Sequence, residues 1–250
     1  MRRDGRPVPR LFVTAPLAQD GAAALSREQD HYLSRVMRLK QGDAVRLFNG
    51  RDGEWLALLE GVGARCSERL RPQAGSGDAW LLFAPPRKER LRFLVEKATE
   101  LGVARLMPVT TERTEPPQAR PDKLLDWAVE AAEQCGRLDL PVCQEQRPLA
   151  AVLEDWPADR PLLFCDESGG APLLQALQEA GEAIAFLVGP EGGFGAGERD
   201  ALVSVSRVAP VSLGPHILRV ETAAIAALAS WQALRTGDRV QGAAHRAMPA

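Results

Sequence analysis

The stretch LVGPEGGFGAGE, residues 187–198, places five glycines behind an apolar run at 183–188. Such a run predicts a buried strand, and the pattern that follows predicts a helix over 197–207. Glycines at a turn from strand to helix leave backbone donors and acceptors open to a ligand. We therefore expect an α/β domain with a ligand site at the carboxyl end of this strand. For one such loop taken alone, a plain turn is the alternative.

The glycine spacing excludes the two common phosphate-binding motifs. A Walker loop requires G-x-x-x-x-G-K-[ST], and the chain contains no Lys-Ser or Lys-Thr pair. A dinucleotide fingerprint requires G-x-G-x-x-G, which no frame of 187–198 supplies. A nucleotide-hydrolysing enzyme is therefore the weakest interpretation.

A second loop, LGPHILRVETA at residues 213–223, again joins a predicted strand to a predicted helix, here 222–235. It carries Arg219 and Glu221 immediately before that helix, and the Thr222 hydroxyl is suited to capping the first turn. Two loops of this kind on successive strands favour a binding cleft over two unrelated turns.

Strands and helices alternate through most of the chain beyond residue 79. Apolar runs predict the strands and leucine or alanine at helical spacing predicts the helices. The predicted strands are 80–84, 105–109, 162–165, 183–188 and 210–213, and the predicted helices are 88–101, 122–135, 173–180, 197–207 and 222–235. This alternation predicts the α/β fold class with a mostly parallel sheet.

The first seventy residues have a different pattern. Asn-Gly and Asp-Gly within 49–53 separate two strand-like runs and predict a hairpin. A helix is predicted from Ser26, as its N-cap, to Met37. The composition of residues 71–78 is typical of a linker. We expect three parts: a small β-barrel-like domain at 1–73, the α/β domain at 79–240 and a flexible tail at 241–250.

Composition narrows the class of protein further. The 250 residues carry a net charge of −2, but residues 1–72 hold 13 Lys and Arg against 9 Asp and Glu. A basic front part favours a polyanionic partner for that domain. The four cysteines have no C-x-x-C spacing and only three histidines accompany them, so no metal site is expected. Without a signal-peptide pattern or a long apolar run, we expect a cytoplasmic protein with no membrane contact.

Several short motifs, taken in order, resemble one family. The two loops resemble those of the knotted methyltransferases of the SPOUT superfamily, and more closely those of the family that methylates N3 of a uridine in bacterial 16S ribosomal RNA. The supporting motifs are HYLSRVMR at 31–38, GD at 42–43, KATELGV at 97–103, ERT at 112–114 and EAAEQCGR at 130–137. The sequence departs from the family pattern at His216, where arginine is expected, and at Val220, where threonine is expected.

The resemblance implies a SPOUT α/β domain with a trefoil knot, a PUA-like β-barrel domain for RNA, and a homodimer. It implies S-adenosyl-L-methionine as cofactor and 16S rRNA, in the assembled small ribosomal subunit, as partner. The cofactor-binding residues it implies are Leu187, Gly189, Pro190, Glu191, Gly192, Gly193, Leu213, Gly214, Ile217, Leu218, Arg219, Thr222 and Ala223.

Arg219 and Glu221 are the predicted catalytic residues. Uridine N3 is a poor nucleophile until its proton leaves, so Arg219 is assigned to stabilising the imide anion. Glu221 is assigned either to accepting the proton or to orienting Arg219. A purely structural Arg219–Glu221 pair, a ribose 2′-hydroxyl as acceptor, and a non-catalytic RNA-binding assembly factor are the alternatives.

An RNA surface is predicted on the front domain. His31, Arg35 and Arg38 recur at i, i+4 and i+7 and would share one helix face. Arg10 and the amino-terminal arginines Arg2, Arg3 and Arg6 are added because they lie in the same basic part of the chain, and the resemblance adds Arg113 and Arg137. A merely solubilising set of arginines is the alternative.

Overall fold

The computed structural model describes residues 8–115 and 119–246, with side chains described as far as Arg235. The chain divides into two compact units. The N-terminal unit comprises Met1–Ser76 and Val129–Leu140, and the C-terminal unit comprises Gly77–Ala128 and Pro141–Ala250. The change at residue 76 falls within the linker predicted at 71–78, whereas the assignment of 129–140 to the N-terminal unit was not predicted.

The N-terminal unit is built on a five-stranded sheet in the order β1-β3-β4-β5-β2. Strands β1 and β3 are parallel and the other described pairs are antiparallel. The strands are β1 (Arg10–Phe12), β2 (Ala22–Ala24), β3 (Ala44–Phe48), β4 (Glu54–Glu60) and β5 (Gly63–Arg71). The predicted hairpin is confirmed as β3–β4, with Gly50 and Gly53 at φ of 79° and 86° in its turn.

The predicted helix at 26–37 is shorter and less regular than expected. Ser26 is its N-cap and forms a capping box with Gln29, as helix α1 (Arg27–His31) begins. The chain then widens into a π-helical turn, Tyr32–Val36, in which only Leu33 is buried. An i, i+4, i+7 spacing assumes 3.6 residues per turn, and the wider turn breaks that regularity.

The C-terminal unit contains an eight-stranded sheet. Seven strands follow the order β11-β13-β10-β12-β6-β7-β8, and β9 pairs with β7; all the described pairs are parallel. The strands are β6 (Ala79–Phe83), β7 (Val103–Thr110), β8 (Val142–Cys143), β9 (Arg147–Pro148), β10 (Leu162–Cys165), β11 (Ala171–Pro172), β12 (Ile184–Val188) and β13 (Val208–Ser212). The predicted α/β fold class with a mostly parallel sheet is confirmed.

Helices lie along the chain between these strands. They are α2 (Lys88–Glu100), α3 (Pro121–Cys135), α4 (Leu149–Glu154), α5 (Leu173–Glu179), α6 (Ala196–Ser204) and α7 (Val220–Arg246). Gly102 and Gly136 follow α2 and α3 at φ of 81° and 82°, as predicted for residues that end helices.

Strand β12 shows why the sheet core is apolar throughout. Ile184, Phe186 and Val188 pack into one hydrophobic cluster, and Ala185 and Leu187 pack into another. Alternate residues of a strand point to opposite faces, so both faces of the sheet are covered. The near-continuous apolar run at 183–188 is the sequence pattern of such a strand.

The last helix differs from its predicted bounds at both ends. It begins at Val220 rather than 222 and continues to Arg246 rather than 235. Two glycines, Gly237 and Gly242, lie in the added length, and each costs only about 1 kcal/mol, which is too little for either one to end a long helix. Of the predicted tail, 241–246 is helical. Residues 247–250, and the arginines at positions 2, 3 and 6, lie outside the described residues.

The sheet order sets the position of the two glycine loops. Strands β12 and β13 follow one another along the chain, but β10 lies between them in the sheet. The predicted loops therefore flank a third loop, residues 166–170, which follows β10. Because the three strands are parallel, all three loops leave the same edge of the sheet.

Candidate functional site

A cavity of about 140 Å³ lies where the loops after β10, β12 and β13 meet. Its walls come from all three loops and from the first turns of the helix that follows β13. The lining residues are Cys165, Asp166, Glu167, Ser168, Val188, Gly189, Pro190, Gly193, Phe194, Arg199, Leu213, Gly214, Pro215, His216, Ile217, Leu218 and Ala223. The cavity lies at the carboxyl ends of the strands, where the sequence predicted a cleft.

Most of the predicted cofactor-binding residues line this cavity. They are Gly189, Pro190, Gly193, Leu213, Gly214, Ile217, Leu218 and Ala223. Leu187 is fully buried within β12, and Gly192 packs against the Arg113 side chain. Glu191 lies at a second cavity nearby, and the exposed residues Arg219 and Thr222 line neither cavity.

The loop after β10 contributes a polar wall that the sequence analysis missed. Asp166 is buried, and its carboxylate accepts a hydrogen bond from Arg199 Nη2 at 2.5 Å and one from the Ser168 amide at 2.9 Å. Arg199 also donates to the Ser168 hydroxyl at 2.8 Å. Glu167 is exposed beside them. The run DESGG directly after the predicted strand 162–165 was the available signal, because polar residues at a strand's carboxyl end mark ligand sites in such sheets.

The loop after β12 is held from outside by the loop after β7. Arg113 Nη1 donates to the Gly192 carbonyl at 2.5 Å. Glu198 accepts from the amide of Glu112 at 2.7 Å and from that of Gly195 at 2.9 Å. Arg113, which was predicted to contact RNA, is exposed and also supports the glycine loop through this hydrogen bond; its contact with RNA stays a prediction.

Two glycines of this loop have steric reasons to be glycine. A Cβ at Gly193, whose φ is 70°, would lie 2.5 Å from a carboxylate oxygen of Glu167. A Cβ at Gly189 would lie 2.9 Å from the Phe194 ring. Gly193 therefore permits a left-handed backbone conformation where the β12 loop meets Glu167 of the β10 loop, and Gly189 leaves room for the Phe194 ring within the β12 loop.

Glu221 is the most unusual polar group near the cavity. The residue is only 8% exposed. Its Oε1 lies 3.8 Å from Arg90 Nε, while its Oε2 is buried and has no hydrogen-bond partner among the described residues. Arg90 Nη1 also lies 3.5 Å from Glu191 Oε1. A buried oxygen without a partner is costly, so this atom is suited to accepting a hydrogen bond from a ligand.

Arg219 lies immediately before the helix, where its carbonyl accepts a hydrogen bond from the Ala223 amide at 2.9 Å. Its side chain is exposed, and the described part of the chain offers it no ion-pair partner, so the structural Arg219–Glu221 pair is not formed. Because the helix starts at Val220, Thr222 is inside the first turn, and the predicted cap at Thr222 is wrong.

The two departures from the family pattern lie in different surroundings. His216 is exposed and lines the cavity, whereas Val220 is 2% exposed and belongs to the core of the C-terminal unit. The valine at 220 therefore serves packing, and only His216 is placed to touch a ligand.

The cysteine thiol at the cavity has low reactivity. Cys165 ends β10 and lines the cavity, and burial raises its pKa to about 12. At neutral pH the thiol is thus protonated and a poor nucleophile.

The predicted RNA-contacting residues of the N-terminal unit separate into two groups. His31, Arg35 and Arg38 are exposed. Arg10 pairs with buried Glu54 at 2.6 Å and also donates to the carbonyls of Ala132 and Arg137. Its side chain is internal to the unit, which argues against a contact with RNA.

Arg137 is also turned inward. Its side chain is 4% exposed and its Nε lies 2.9 Å from Asp139 Oδ1. Hydrogen bonds from Arg137 and Ser76 lower the pKa of Asp139 although burial opposes them. Arg137 therefore belongs to the packing of residues 129–140 and is withdrawn from the predicted RNA surface.

No group of three His, Cys, Asp or Glu side chains within 8–115 and 119–235 is arranged to hold a metal ion. In the described chain, no helix is both long and apolar enough to cross a membrane.

A parallel sheet with a cavity formed by glycine loops at its carboxyl edge, in a chain that also has a separate β unit, is typical of two-domain α/β proteins that bind small molecules. Comparison with known families makes this specific. Residues 75–232 match the family described as RNA methyltransferase domain, and residues 25–65 match the RNA methyltransferase PUA domain. The chain belongs to this RNA methyltransferase family, which confirms the SPOUT and PUA-like resemblance.

Individual relatives are similar along nearly the whole chain. The ribosomal RNA small subunit methyltransferase E of Rickettsia conorii is 31% identical over 88% of this chain and 93% of its own length. The protein of the same name from Synechocystis is 31% identical over 90% of this chain and 77% of its own. The crystal structure of the Neisseria gonorrhoeae protein of that name, bound to S-adenosyl methionine, is 26% identical, with a TM-score of 0.80 over 91% of this chain and 98% of that one.

Proposed function

We propose that this protein methylates N3 of a uridine in 16S ribosomal RNA, with S-adenosyl-L-methionine as methyl donor. The observation that carries the proposal is the cavity between the loops after β10, β12 and β13, with the buried, half-satisfied Glu221 carboxylate beside it. The names and the bound cofactor of the relatives support the reaction class.

The residues of the cavity fit an adenosyl sulfonium ligand. Val188, Leu213 and Leu218 offer an apolar surface for an adenine ring, next to glycine backbones that leave amides and carbonyls accessible. Asp166 and Glu167 supply carboxylates at the same cavity, which suit ribose hydroxyls or an ammonium group. When bound, S-adenosylmethionine supplies a methyl group activated by its sulfonium sulfur.

Residues of the protein must help uridine N3 to lose its proton. A neutral imide nitrogen is poorly nucleophilic, so N3 must lose its proton as it attacks. Glu221 Oε2 is buried and free to accept a hydrogen bond, and Glu221 pairs with Arg90 rather than with Arg219. Of its two assigned roles, proton acceptor is therefore better supported than orienting Arg219.

Arg219 is assigned to the developing negative charge on the uracil carbonyls. Its guanidinium is exposed, and its neighbour Leu218 lines the cavity. A cation placed where charge develops typically contributes a factor of about 10² to 10³ in rate. We expect Arg219→Ala to lose turnover by about this factor while calorimetry with S-adenosylmethionine shows retained cofactor binding. Activity equal to that of the unchanged protein would contradict the assignment.

The decisive experiment identifies the product. Small ribosomal subunits from cells without this activity would be incubated with the protein and isotope-labelled S-adenosylmethionine, and the digested RNA analysed by mass spectrometry. Labelled 3-methyluridine from 16S rRNA is the expected result. A labelled 2′-O-methyl nucleoside would overturn the acceptor atom, and cofactor binding without any labelled product would favour a non-catalytic or different RNA role.

We further propose that the protein is a cytoplasmic homodimer and that it acts on the assembled small subunit, as the resemblance implies. Light scattering on the purified protein tests whether it is a dimer. A comparison of naked 16S rRNA with intact subunits as substrates tests whether the assembled subunit is preferred. A monomer with full activity, or faster methylation of naked RNA, would contradict the corresponding part.

A further inference from the structure

The Arg199 guanidinium connects two of the elements that form the cavity of about 140 Å³. Arg199 lies in helix α6, which follows the glycine loop after β12. Its Nη2 donates to the Asp166 carboxylate at 2.5 Å and its Nη1 donates to the Ser168 hydroxyl at 2.8 Å. One side chain therefore binds the loop after β10 to α6 at two points.

The Asp166 carboxylate is engaged within the protein at both of its oxygens. Oδ2 accepts the hydrogen bond from Arg199, and Oδ1 accepts one from the Ser168 amide at 2.9 Å. The Asp166 side chain is only 3% exposed. Because a buried carboxylate is strongly destabilised when its cation is removed, the Asp166–Arg199 pair fixes the conformation of the loop after β10.

Glu167 lies between the two residues that Arg199 binds. It is exposed and lines the cavity, and its carboxylate has no hydrogen-bond or ion-pair partner in the described part of the chain. A Cβ at Gly193 would lie 2.5 Å from its Oε1, so the carboxylate lies directly against the glycine backbone of the β12 loop. With both neighbours in the chain fixed, Glu167 has a defined position at the cavity wall.

A free carboxylate at a cavity wall accepts hydrogen bonds and attracts positive charge. An adenosyl sulfonium ligand offers it hydrogen-bond donors in its ribose hydroxyls and in the ammonium group of its amino-acid part. A side chain that is already held in place loses less conformational freedom on binding, which increases affinity. Both terminal nitrogens of Arg199 are bonded to the loop, so Arg199 acts on the ligand through Glu167.

We propose that Glu167 is a cofactor-binding residue and that Arg199 is the positioning residue that holds it at the cavity. This inference rests on the proposed function, from which it takes the cofactor. It adds two residues from outside the two predicted glycine loops.

A double-mutant cycle on the full-length protein tests this coupling, with the dissociation constant of S-adenosylhomocysteine measured by calorimetry. Glu167→Gln and Arg199→Gln should each weaken binding about 10-fold, the usual effect of losing one charge-assisted hydrogen bond. The variant with both substitutions should also lose about 10-fold rather than about 100-fold, because Arg199 acts through Glu167. Arg199→Lys, which keeps a cation beside Asp166, should recover part of the affinity.

A second ligand identifies the group that Glu167 binds. 5′-Methylthioadenosine keeps the adenine and the ribose of S-adenosylhomocysteine but lacks its amino-acid part. If Glu167→Gln weakens the binding of both ligands equally, Glu167 binds the ribose hydroxyls. If it weakens the binding of S-adenosylhomocysteine alone, Glu167 binds the ammonium group.

Arg147→Gln is the matched control. Arg147 has a similar exposure to Arg199, 44% against 39%, and pairs with Asp155 at 2.6 Å, but it does not line the cavity. Its replacement should leave the dissociation constant unchanged. Thermal unfolding of each variant checks that it is folded, and the exposed Glu167 keeps the test available if Arg199→Gln is unstable.

Two results would overturn the inference. One is that the variants at positions 167 and 199 bind S-adenosylhomocysteine as the Arg147 control does. The other is an additive loss of about 100-fold in the double variant, which would show that Arg199 and Glu167 act separately.

The product experiment on ribosomal subunits is independent of this cycle. Labelled 3-methyluridine together with unchanged binding in both single variants would remove the inference and leave the proposed function intact. No binding of S-adenosylhomocysteine by the unchanged protein would remove the proposed cofactor, and this inference with it.

Discussion

Glu221 combines near-complete burial with an oxygen that no described residue satisfies. Replacement by glutamine keeps the shape but removes the capacity to accept a proton. We expect Glu221→Gln to reduce kcat for subunit methylation by about 10² to 10⁴, the usual contribution of a general base, with little change in cofactor affinity. Single-turnover methylation and calorimetry with S-adenosylmethionine provide the two measurements.

The control for that variant is Glu96→Gln. Glu96 lies on helix α2 and pairs with Arg92. Its replacement should leave both quantities unchanged. A Glu221→Gln protein that retains most of its kcat would exclude the proton-acceptor role and leave Glu221 as a partner of Arg90 only.

The cysteines allow a second prediction at the residue scale. Burial raises the pKa of Cys165 to about 12, so at pH 8 very little of this thiol is present as thiolate, which is the reactive form. Cys135 is exposed. Iodoacetamide should therefore modify Cys135 well before Cys165, as followed by peptide mass spectrometry over time. Equal rates at the two thiols would show that Cys165 is not shielded in solution.

Sequence patterns predicted the position of individual site residues best where a single local signal identifies the residue. Gly189, Gly193 and Gly214 were predicted at the ligand loops because glycine at a turn from strand to helix is a local signal. Asp166 and Arg199 were missed because their roles arise from a hydrogen bond between positions 33 apart along the chain. Arg10 and Arg137 were misassigned because the composition of a segment does not show which arginines are turned inward.

At the scale of elements, the loop after β12 depends on the loop after β7. Arg113 donates a hydrogen bond to the Gly192 carbonyl, and one such hydrogen bond contributes about 0.5–1.5 kcal/mol, or roughly 2- to 13-fold in an equilibrium. We expect Arg113→Ala to weaken S-adenosylmethionine binding by this factor. The salt dependence of RNA binding should stay the same, because the Arg113 guanidinium is already bonded to the Gly192 carbonyl.

Calorimetry and filter binding at several salt concentrations separate these two effects. Arg120→Ala, on an exposed arginine that pairs with Asp122, is the matched control. A flatter salt dependence with unchanged cofactor affinity would return Arg113 to the predicted RNA surface.

Helices and strands with strong periodicity were predicted well. Features that depend on contacts between distant parts of the chain were predicted less well. Helix α2 and strand β10 match their predicted ranges within a residue or two, since amphipathic spacing and apolar runs are local properties. The order of the strands was not predictable: β10 lies between β12 and β13, and that arrangement brings in the polar loop at 166–170. The second cavity was missed for the same reason, since Arg90 and Glu191 on its walls are about a hundred residues apart in sequence.

At the scale of the whole molecule, the N-terminal unit is assembled from two separate parts of the chain. Phe48 packs with Ala132 and Leu138, and Arg10 binds the carbonyls of Ala132 and Arg137. Residues 129–135 continue the helical pattern of α3 without a break, so nothing local in the sequence shows that this part of the helix packs with the N-terminal unit. A fragment limited to 1–76 would lack these partners, and the N-terminal unit is therefore best studied in the full chain.

The stability of the N-terminal unit depends on pH through a buried carboxylate, Glu54. Glu54 is 2% exposed and accepts hydrogen bonds from Arg10 Nε at 2.6 Å and Arg71 Nε at 2.8 Å. Burial alone would raise the pKa of Glu54, but the two guanidinium groups outweigh it and the pKa is lowered. The folded state therefore binds this proton more weakly than the unfolded state does. The resulting stabilisation is complete above the ordinary glutamate pKa of about 4.3 and is lost as the pH falls through the folded-state value.

Chemical unfolding of the full chain between pH 3 and pH 7 tests whether the Glu54 carboxylate makes stability depend on pH. The free energy of unfolding should fall with decreasing pH below about 4.5, and Glu54→Gln should lower it by about 3–5 kcal/mol at pH 7, because two arginines lose their buried charge partner. The loss should shrink as the pH falls, since protonation removes the same charge in the unchanged protein.

Glu60→Gln, at an exposed pair with Arg65, is the control and should follow the unchanged protein. A Glu54→Gln deficit that stays constant from pH 7 to pH 3 would show that the loss comes from packing and not from the carboxylate charge.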